Sequence, residues 1–173
     1  MSELLLTEFD LHLLAEGTHY RTYEKLGAHL RRVDGVSGVH FAVWAPNASS
    51  VSVVGDFNGW DAAIHPLERR PEAGVWETFV PGVSVGAVYK YRVVGPGGRS
   101  HGDKADPYGF AAEIRPQTAS KVAQLDGYEW RDAEWVRGRL TRHSPASPMS
   151  IYEVHLGSWR RRSNEKGAWL TYR

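Results

Sequence analysis

The chain has 173 residues, enough for one domain with a sizeable core and a tail. Its hydrophobic content of 42% and charged content of 24% are those of an ordinary globular chain and exclude a disordered one. A formal net charge of +1 gives no field to attract nucleic acid or an acidic membrane surface.

The absence of cysteine excludes disulfides and thiolate metal sites and fits a reducing compartment. The amino terminus carries acids and no basic residue, so it is a poor signal peptide. No apolar run reaches the roughly 20 residues that a membrane span needs. The eight histidines show no paired ligand spacing. We therefore expect a cytoplasmic protein without a metal site.

Residues 1–35 are predicted to form a helical lead-in. Thr7 is a typical helix cap, with Asp10 three positions later and Gly17 as a stop. Phe9 and Leu13 stand four residues apart, on one helical face. These signals predict a short amphipathic helix over Glu8–Glu16 whose apolar face docks on the next domain.

Residues 36–120 read as a series of short strands separated by turn signals. Apolar and polar residues alternate over much of this region, and the predicted strands are Val39–Trp44, Val51–Val54, Gly74–Val80 and Val88–Val94. In the last of these, Tyr89 and Tyr91 share one face, and Lys90 and Arg92 share the other. The pattern predicts a mainly β fold, an immunoglobulin-like β-sandwich.

The stretch Val51–Asp61 combines a strand, a turn and a tryptophan. Asn58-Gly59 is a strong turn signal because both residues tolerate positive φ. Trp60 follows directly, and at the rim of a sheet its ring could stack on a sugar. By residue type alone, Trp60 could equally be a core residue.

Residues 121–147 are polar, end in a Ser/Pro-rich stretch and are predicted to be a linker. Met149–Leu156 then reads as an apolar strand. The remaining residues cannot close a second domain, and a (β/α)₈ barrel takes about 250 residues. We therefore expect residues 148–173 to be the first strand of a truncated barrel.

Two motifs carry a family resemblance. Gly55–Asp61 resembles the motif of the glycogen-binding β-sandwich modules that precede α-amylase-superfamily barrels. Ser150–Trp159 resembles the start of the catalytic barrel in 1,4-α-glucan (glycogen) branching enzymes. Further motifs fit the same family in the same order: Glu16–His19, Leu26–His29, Phe41–Ala48, Lys104–Tyr108 and Arg115–Ser120. The chain thus resembles the amino-terminal part of a glycogen branching enzyme.

The resemblance implies a retaining enzyme that cuts an α-1,4-glucan chain, transfers it to a 6-hydroxyl and needs no cofactor. In that family the nucleophilic Asp and the acid/base Glu lie on later barrel strands, beyond Arg173. We therefore assign no catalytic residue, expect this piece alone to be inactive and read Glu153 and His155 as residues that shape the barrel. The expected partner is an α-glucan, and the expected state is a monomer.

For binding, the resemblance implies Trp60 as a stacking platform and Lys90 as a donor to sugar hydroxyls. Related modules carry a second platform tryptophan after the lysine-bearing strand, whereas the turn Gly95–Ser100 has no aromatic residue. The sandwich could therefore bind glucan or only support the barrel. Alternatives are a stand-alone glucan-binding module, a debranching or trehalose-releasing member of the amylase superfamily, and a plain immunoglobulin-like structural domain.

Overall fold

Two antiparallel sheets make up the larger of two structural units, which divide after Gly127. The structure is a computed structural model that describes residues 5–162 and 168–170. Among the described residues, no helix has the length and apolar character needed to cross a lipid bilayer.

Sheet A has the strand order β1-β2-β5-β4, with every neighbouring pair antiparallel. Its strands are β1 (Gly27–Val33), β2 (Val36–Trp44), β4 (Glu68–Arg70) and β5 (Val75–Pro81). Asp34 and Gly35 join β1 to β2, and both have positive φ, at 49° and 82°. That is the backbone that a tight hairpin turn requires, and Asp-Gly adopts it readily.

Sheet B has the order β3-β6-β9-β8, and β7 also pairs with β6. Its strands are β3 (Ser50–Gly55), β6 (Val88–Val94), β7 (Ser100–Lys104), β8 (Ala111–Ala112) and β9 (Ser120–Lys121). In the β3–β6 register Val53 faces Tyr91, Val54 faces Lys90 and Gly55 faces Tyr89. The register places Lys90 and Arg92 on one face of β6, as the alternation predicted.

The core lies between the two sheets. Phe41 from β2 packs edge-on against Tyr89 from β6, with ring centroids 4.9 Å apart. The hydroxyls of Tyr89 and Tyr91 donate to Asp106 Oδ2 at 2.7 and 3.4 Å, so these buried polar atoms are satisfied. Burial raises the pKa of Asp106, although these hydrogen bonds oppose the rise. The prediction of a mainly β sandwich is confirmed.

The first strand of the sandwich lies inside the segment predicted as a helical lead-in. Strand β1 pairs along its whole length with β2. It is an edge strand whose Leu30, Arg31 and Arg32 are exposed, so it lacks the apolar alternation that marked the other strands. Residues 1–35 therefore contain both a helix and part of the sheet.

Helix α1 spans Glu8–Glu16, as predicted. Thr7 Oγ1 accepts from the Asp10 backbone N–H at 3.2 Å, and Asp10 Oδ2 accepts from the Thr7 N–H at 2.9 Å. Gly17 ends the helix with a φ of 73°. The helix does dock on the outer face of sheet A, where Leu11 is buried in a cluster with Ala42 and Val75. The predicted docking face is wrong in part, because Phe9 is 67% exposed.

The smaller unit, after Gly127, differs from the sequence-based expectation. The segment predicted as a linker contains helix α2 (Ala133–Arg142), and helix α3 spans Leu156–Trp159. The strand predicted over Met149–Leu156 is wrong, because residues 149–155 have no regular structure. A barrel strand needs hydrogen-bonding neighbours on both sides, and no strand in the described ranges pairs with this segment.

Candidate functional site

The end of strand β3 approaches the backbone of β6 very closely. A Cβ atom at Gly55 would lie 2.2 Å from the carbonyl oxygen of Val88, closer than any real contact. Only glycine fits at this position. The chain then turns away from the sheet through a short 3₁₀ turn over Asp56–Asn58.

The side chain of Asn58 fixes this turn and is itself buried. Its Oδ1 accepts from the Gly55 N–H at 2.9 Å, which sets the orientation of the amide. Its Nδ2 donates to Val53 O at 3.0 Å and lies 2.9 Å from His65 Nδ1. Burial lowers the pKa of His65, which favours the neutral ring that can accept this hydrogen bond.

Trp60 is held at the end of this turn in an unusual conformation. Its φ is 64°, in the left-handed region that side-chain-bearing residues rarely occupy. Its N–H donates to Gly55 O at 2.9 Å. The residue is 38% exposed, so the core alternative is wrong and a large part of its surface faces solvent.

Lys90 lies on the outer face of sheet B, near the same end. It pairs with Val54 on β3, and the next residue of β3, Gly55, accepts the hydrogen bond from the Trp60 N–H. Lys90 Nζ donates to Thr118 Oγ1 at 2.8 Å, which brings a hydroxyl from the segment before β9 to the lysine. Both residues predicted from the sequence therefore lie near the same end of sheet B.

The next outward position on β6 carries a charge pair that the sequence analysis did not predict. Arg92 Nε and Nη2 donate to the two oxygens of Asp103 at 2.6 and 2.8 Å. The hydrogen bond from Arg92 lowers the pKa of Asp103. The alternation placed Arg92 on this face, but its partner depends on the register of β7, which is interrupted between Arg92 and Val94.

The turn Gly95–Ser100 contains a short 3₁₀ turn over Pro96–Gly98 and supplies no ring to this face. The site thus consists of one exposed indole and a row of polar side chains. Glu153 and His155 belong to the other unit, where both are exposed and His155 Nδ1 lies 2.9 Å from Ser158 Oγ. The site residues Trp60 and Lys90 both lie in the sandwich.

Comparison with known proteins identifies a carbohydrate-binding family and a set of branching enzymes as similar to this chain. Residues 25–109 match the family described as Carbohydrate-binding module 48 (Isoamylase N-terminal domain). The 1,4-alpha-glucan branching enzyme GlgB of Paramagnetospirillum magneticum is 58% identical over 168 residues, which are 97% of this chain and 23% of that protein. GlgB of Rubrobacter xylanophilus is 55% identical over 98% of this chain and 23% of its own length.

Among solved structures, that of PulA from Klebsiella oxytoca aligns with 59% of this chain and 10% of its own, with 30% identity and a TM-score of 0.47. The chain spans less than a quarter of the length of the curated relatives it matches. The family 48 match includes the whole Trp60 turn and strands β6 and β7, and therefore covers Lys90 and the Arg92–Asp103 pair.

Proposed function

We propose that this chain, a member of the 1,4-alpha-glucan branching enzyme family, binds α-glucan. Two findings support the proposal: the chain matches the amino-terminal region of that family, and residues 25–109 match the family 48 carbohydrate-binding module. The binding face is the outer face of sheet B. Trp60 stacks on a glucose ring, and Lys90 donates to its hydroxyls. A neutral polymer needs no charged field, which suits a net charge of +1.

The observation that carries this proposal is the rigid presentation of Trp60. An exposed indole on a mobile loop would lose conformational freedom when it bound a sugar, which weakens binding. Here Asn58 and Gly55 hold the turn through hydrogen bonds of 2.9–3.0 Å, and the tryptophan backbone is kept in a left-handed conformation. Such strained residues concentrate at functional sites.

The whole enzyme, in this proposal, cleaves α-1,4-glucan chains and transfers them to a 6-hydroxyl, which creates α-1,6 branches in glycogen within the cytoplasm. The names and the identity of the curated relatives support this reaction over debranching or trehalose release. Retaining transfer uses two carboxyl groups about 5–5.5 Å apart. We place both outside this chain, in the part of the whole enzyme that it does not cover.

The binding role is tested with the full 173-residue chain. Titration calorimetry with maltoheptaose and retardation in a glycogen-containing native gel measure affinity directly. Trp60→Ala should weaken binding at least tenfold, which corresponds to about 1.4 kcal/mol. Trp130→Ala removes a 74% exposed tryptophan from the other unit and should leave affinity unchanged.

A second role, support of the barrel without glucan binding, is favoured by the absence of an aromatic ring in the turn Gly95–Ser100. Under that alternative, neither maltoheptaose nor glycogen would interact with the wild-type chain. The activity part of the proposal is tested separately by loss of the amylose–iodine colour. The purified chain should leave the colour unchanged, and branching by this chain would contradict our placement of the catalytic carboxyl groups.

A further inference from the structure

The Arg92–Asp103 pair has a geometry suited to more than stabilising the fold. The two side chains face each other across β6 and β7 and join through two parallel hydrogen bonds of 2.6 and 2.8 Å. Their side chains are 37% and 26% exposed. Exposed ion pairs typically contribute about 0–1 kcal/mol to stability, and the bidentate geometry puts this pair at the upper end of that range. The pair therefore stabilises the fold only modestly.

The pair still offers hydrogen-bonding groups to a ligand. A guanidinium has five N–H donors, and the contact with Asp103 uses two of them. Each carboxylate oxygen of Asp103 has a second lone pair beyond the one that accepts from Arg92. Donors and acceptors thus lie side by side, in a fixed arrangement. Each hydroxyl of a sugar both donates and accepts, so two neighbouring hydroxyls match this arrangement.

The pair also lies next to the proposed site. Arg92 and Lys90 project from the same face of β6. The pKa of Asp103 is lowered mainly by its hydrogen bond from Arg92 and, through space, by Lys90. The pKa of Arg92 is raised mainly by Asp103 and, to a smaller extent, by Asp61, the residue after Trp60. Lys90 is therefore a neighbour of the pair on the same face of β6, and Asp61, which follows Trp60 in the chain, is close enough to act on Arg92.

We propose that the Arg92–Asp103 pair is the second sugar-binding element of this face, holding two adjacent hydroxyls of an α-glucan while Trp60 stacks on the chain. It takes the place of the second aromatic residue that the turn Gly95–Ser100 does not supply. This inference rests on the proposed function, because it assigns further residues to the same site.

The test uses calorimetric titration of the full chain with maltoheptaose. Arg92→Gln and Asp103→Asn should each raise Kd roughly tenfold, as expected for loss of a hydrogen bond to a charged group. Their thermal unfolding midpoints should fall by only about 2–4 °C, as expected for the loss of about 1 kcal/mol. The matched control is Arg21→Gln, which opens another exposed ion pair, that of Arg21 with Glu24, and should leave Kd unchanged.

A second ligand distinguishes the loss of a direct contact between Arg92 and the sugar from a general disturbance of the fold. A maltoheptaose analogue without the 2- and 3-hydroxyls should bind wild type and Arg92→Gln with the same Kd, because the group that Arg92 would contact is gone. A tenfold difference that persists with this analogue would contradict the inference.

The outcomes for the pair and for the site are distinguishable. If Trp60→Ala abolishes binding while Arg92→Gln and Asp103→Asn bind as wild type does, the pair has no role and the proposed function stands. If the wild-type chain does not bind maltoheptaose, the proposed function and this inference both fail.

Discussion

The outer faces of the two sheets differ in what covers them. On sheet A, Leu11 of helix α1 packs with Ala42 and Val75, and two polar residues of the face are buried: His40 is 2% exposed and Glu77 is 0% exposed. On sheet B, the side chain of Arg92 is 37% exposed, and Trp60 at one end of the sheet is 38% exposed. Both faces carry charged pairs, but the carboxylate of the sheet A pair is fully buried, whereas that of the sheet B pair is 26% exposed.

The difference indicates that the polar residues of sheet A mainly stabilise the fold, whereas those of sheet B are available for the proposed ligand contacts. Glu77 accepts from His40 Nε2 at 2.8 Å and from Arg70 Nε at 2.7 Å, so its charge is fully paired inside the protein. Removal of Glu77 is costly, since it would leave the buried His40 and the 28% exposed Arg70 without their shared partner. The pair of Arg92 and Asp103 is partly exposed on both sides, and its removal costs the fold less.

The largest expected effect on stability comes from removing the buried carboxylate of Glu77 on the outer face of sheet A. Glu77→Ala should lower the free energy of unfolding by about 3–5 kcal/mol, because it leaves His40 and Arg70 without their shared partner. Urea denaturation measures this loss. Glu68→Ala is the matched control, since Glu68 faces Glu77 across β4 and β5 but is exposed.

At temperatures where Glu77→Ala is folded, its affinity for maltoheptaose should equal that of the wild type. A fall in affinity as large as that of Trp60→Ala would show that the two faces are not independent.

A smaller effect is expected from the turn that presents Trp60. Asn58→Ala removes the partners of the Gly55 N–H and the Val53 carbonyl, and should lower the free energy of unfolding by roughly 1–3 kcal/mol. Affinity for maltoheptaose should fall as well, because Trp60 loses its support. Calorimetric titration and urea denaturation on the same preparation give both values; unchanged affinity would mean that the turn does not position the indole.

The smallest effect is a dependence on pH. Burial lowers the pKa of His65 in the folded protein below its ordinary value of 6.5, so the unfolded chain binds the proton more readily. The stability that this residue contributes is therefore complete above pH 6.5 and is lost as the pH falls below it. Protonation also removes the acceptor for Asn58 Nδ2.

Thermal unfolding between pH 7.5 and 5 should therefore show a midpoint that falls with pH, and His65→Phe should show a weaker fall in this range. His101→Gln, which changes an exposed histidine outside the turn, serves as the control. An identical slope for wild type and His65→Phe would contradict the role of His65.

Local signals predicted the parts of the fold that depend on local chemistry. The bounds of α1 follow from Thr7 and Gly17, because capping is decided within one turn of the helix. The position of the turn follows from Asn58-Gly59, and strand alternation places Lys90 outward. The turn and the alternation, together with the long-range pairing of β3 with β6, place Trp60 and Lys90 near one end of sheet B.

Features that depend on distant parts of the chain were beyond sequence reasoning. Strand β2 alternates like a half-buried strand, yet Ala42 is buried because Leu11 of α1, far earlier in sequence, packs with it, and His40 is buried beside Glu77 of β5. The partner of Arg92 depends on the interrupted register of β7. The segment Met149–Leu156 has the composition of a strand, but composition cannot supply the neighbours that a strand pairs with.

Strand β1 has a consequence for how the protein behaves at high concentration. It forms one border of sheet A, where unpaired backbone groups can template the addition of a strand from another molecule. Exposed Arg31 and Arg32 occupy that border, and two positive charges in a row repel the same border of a second copy. The basic pair thus opposes edge-to-edge aggregation of the sandwich, a hazard that grows with protein concentration.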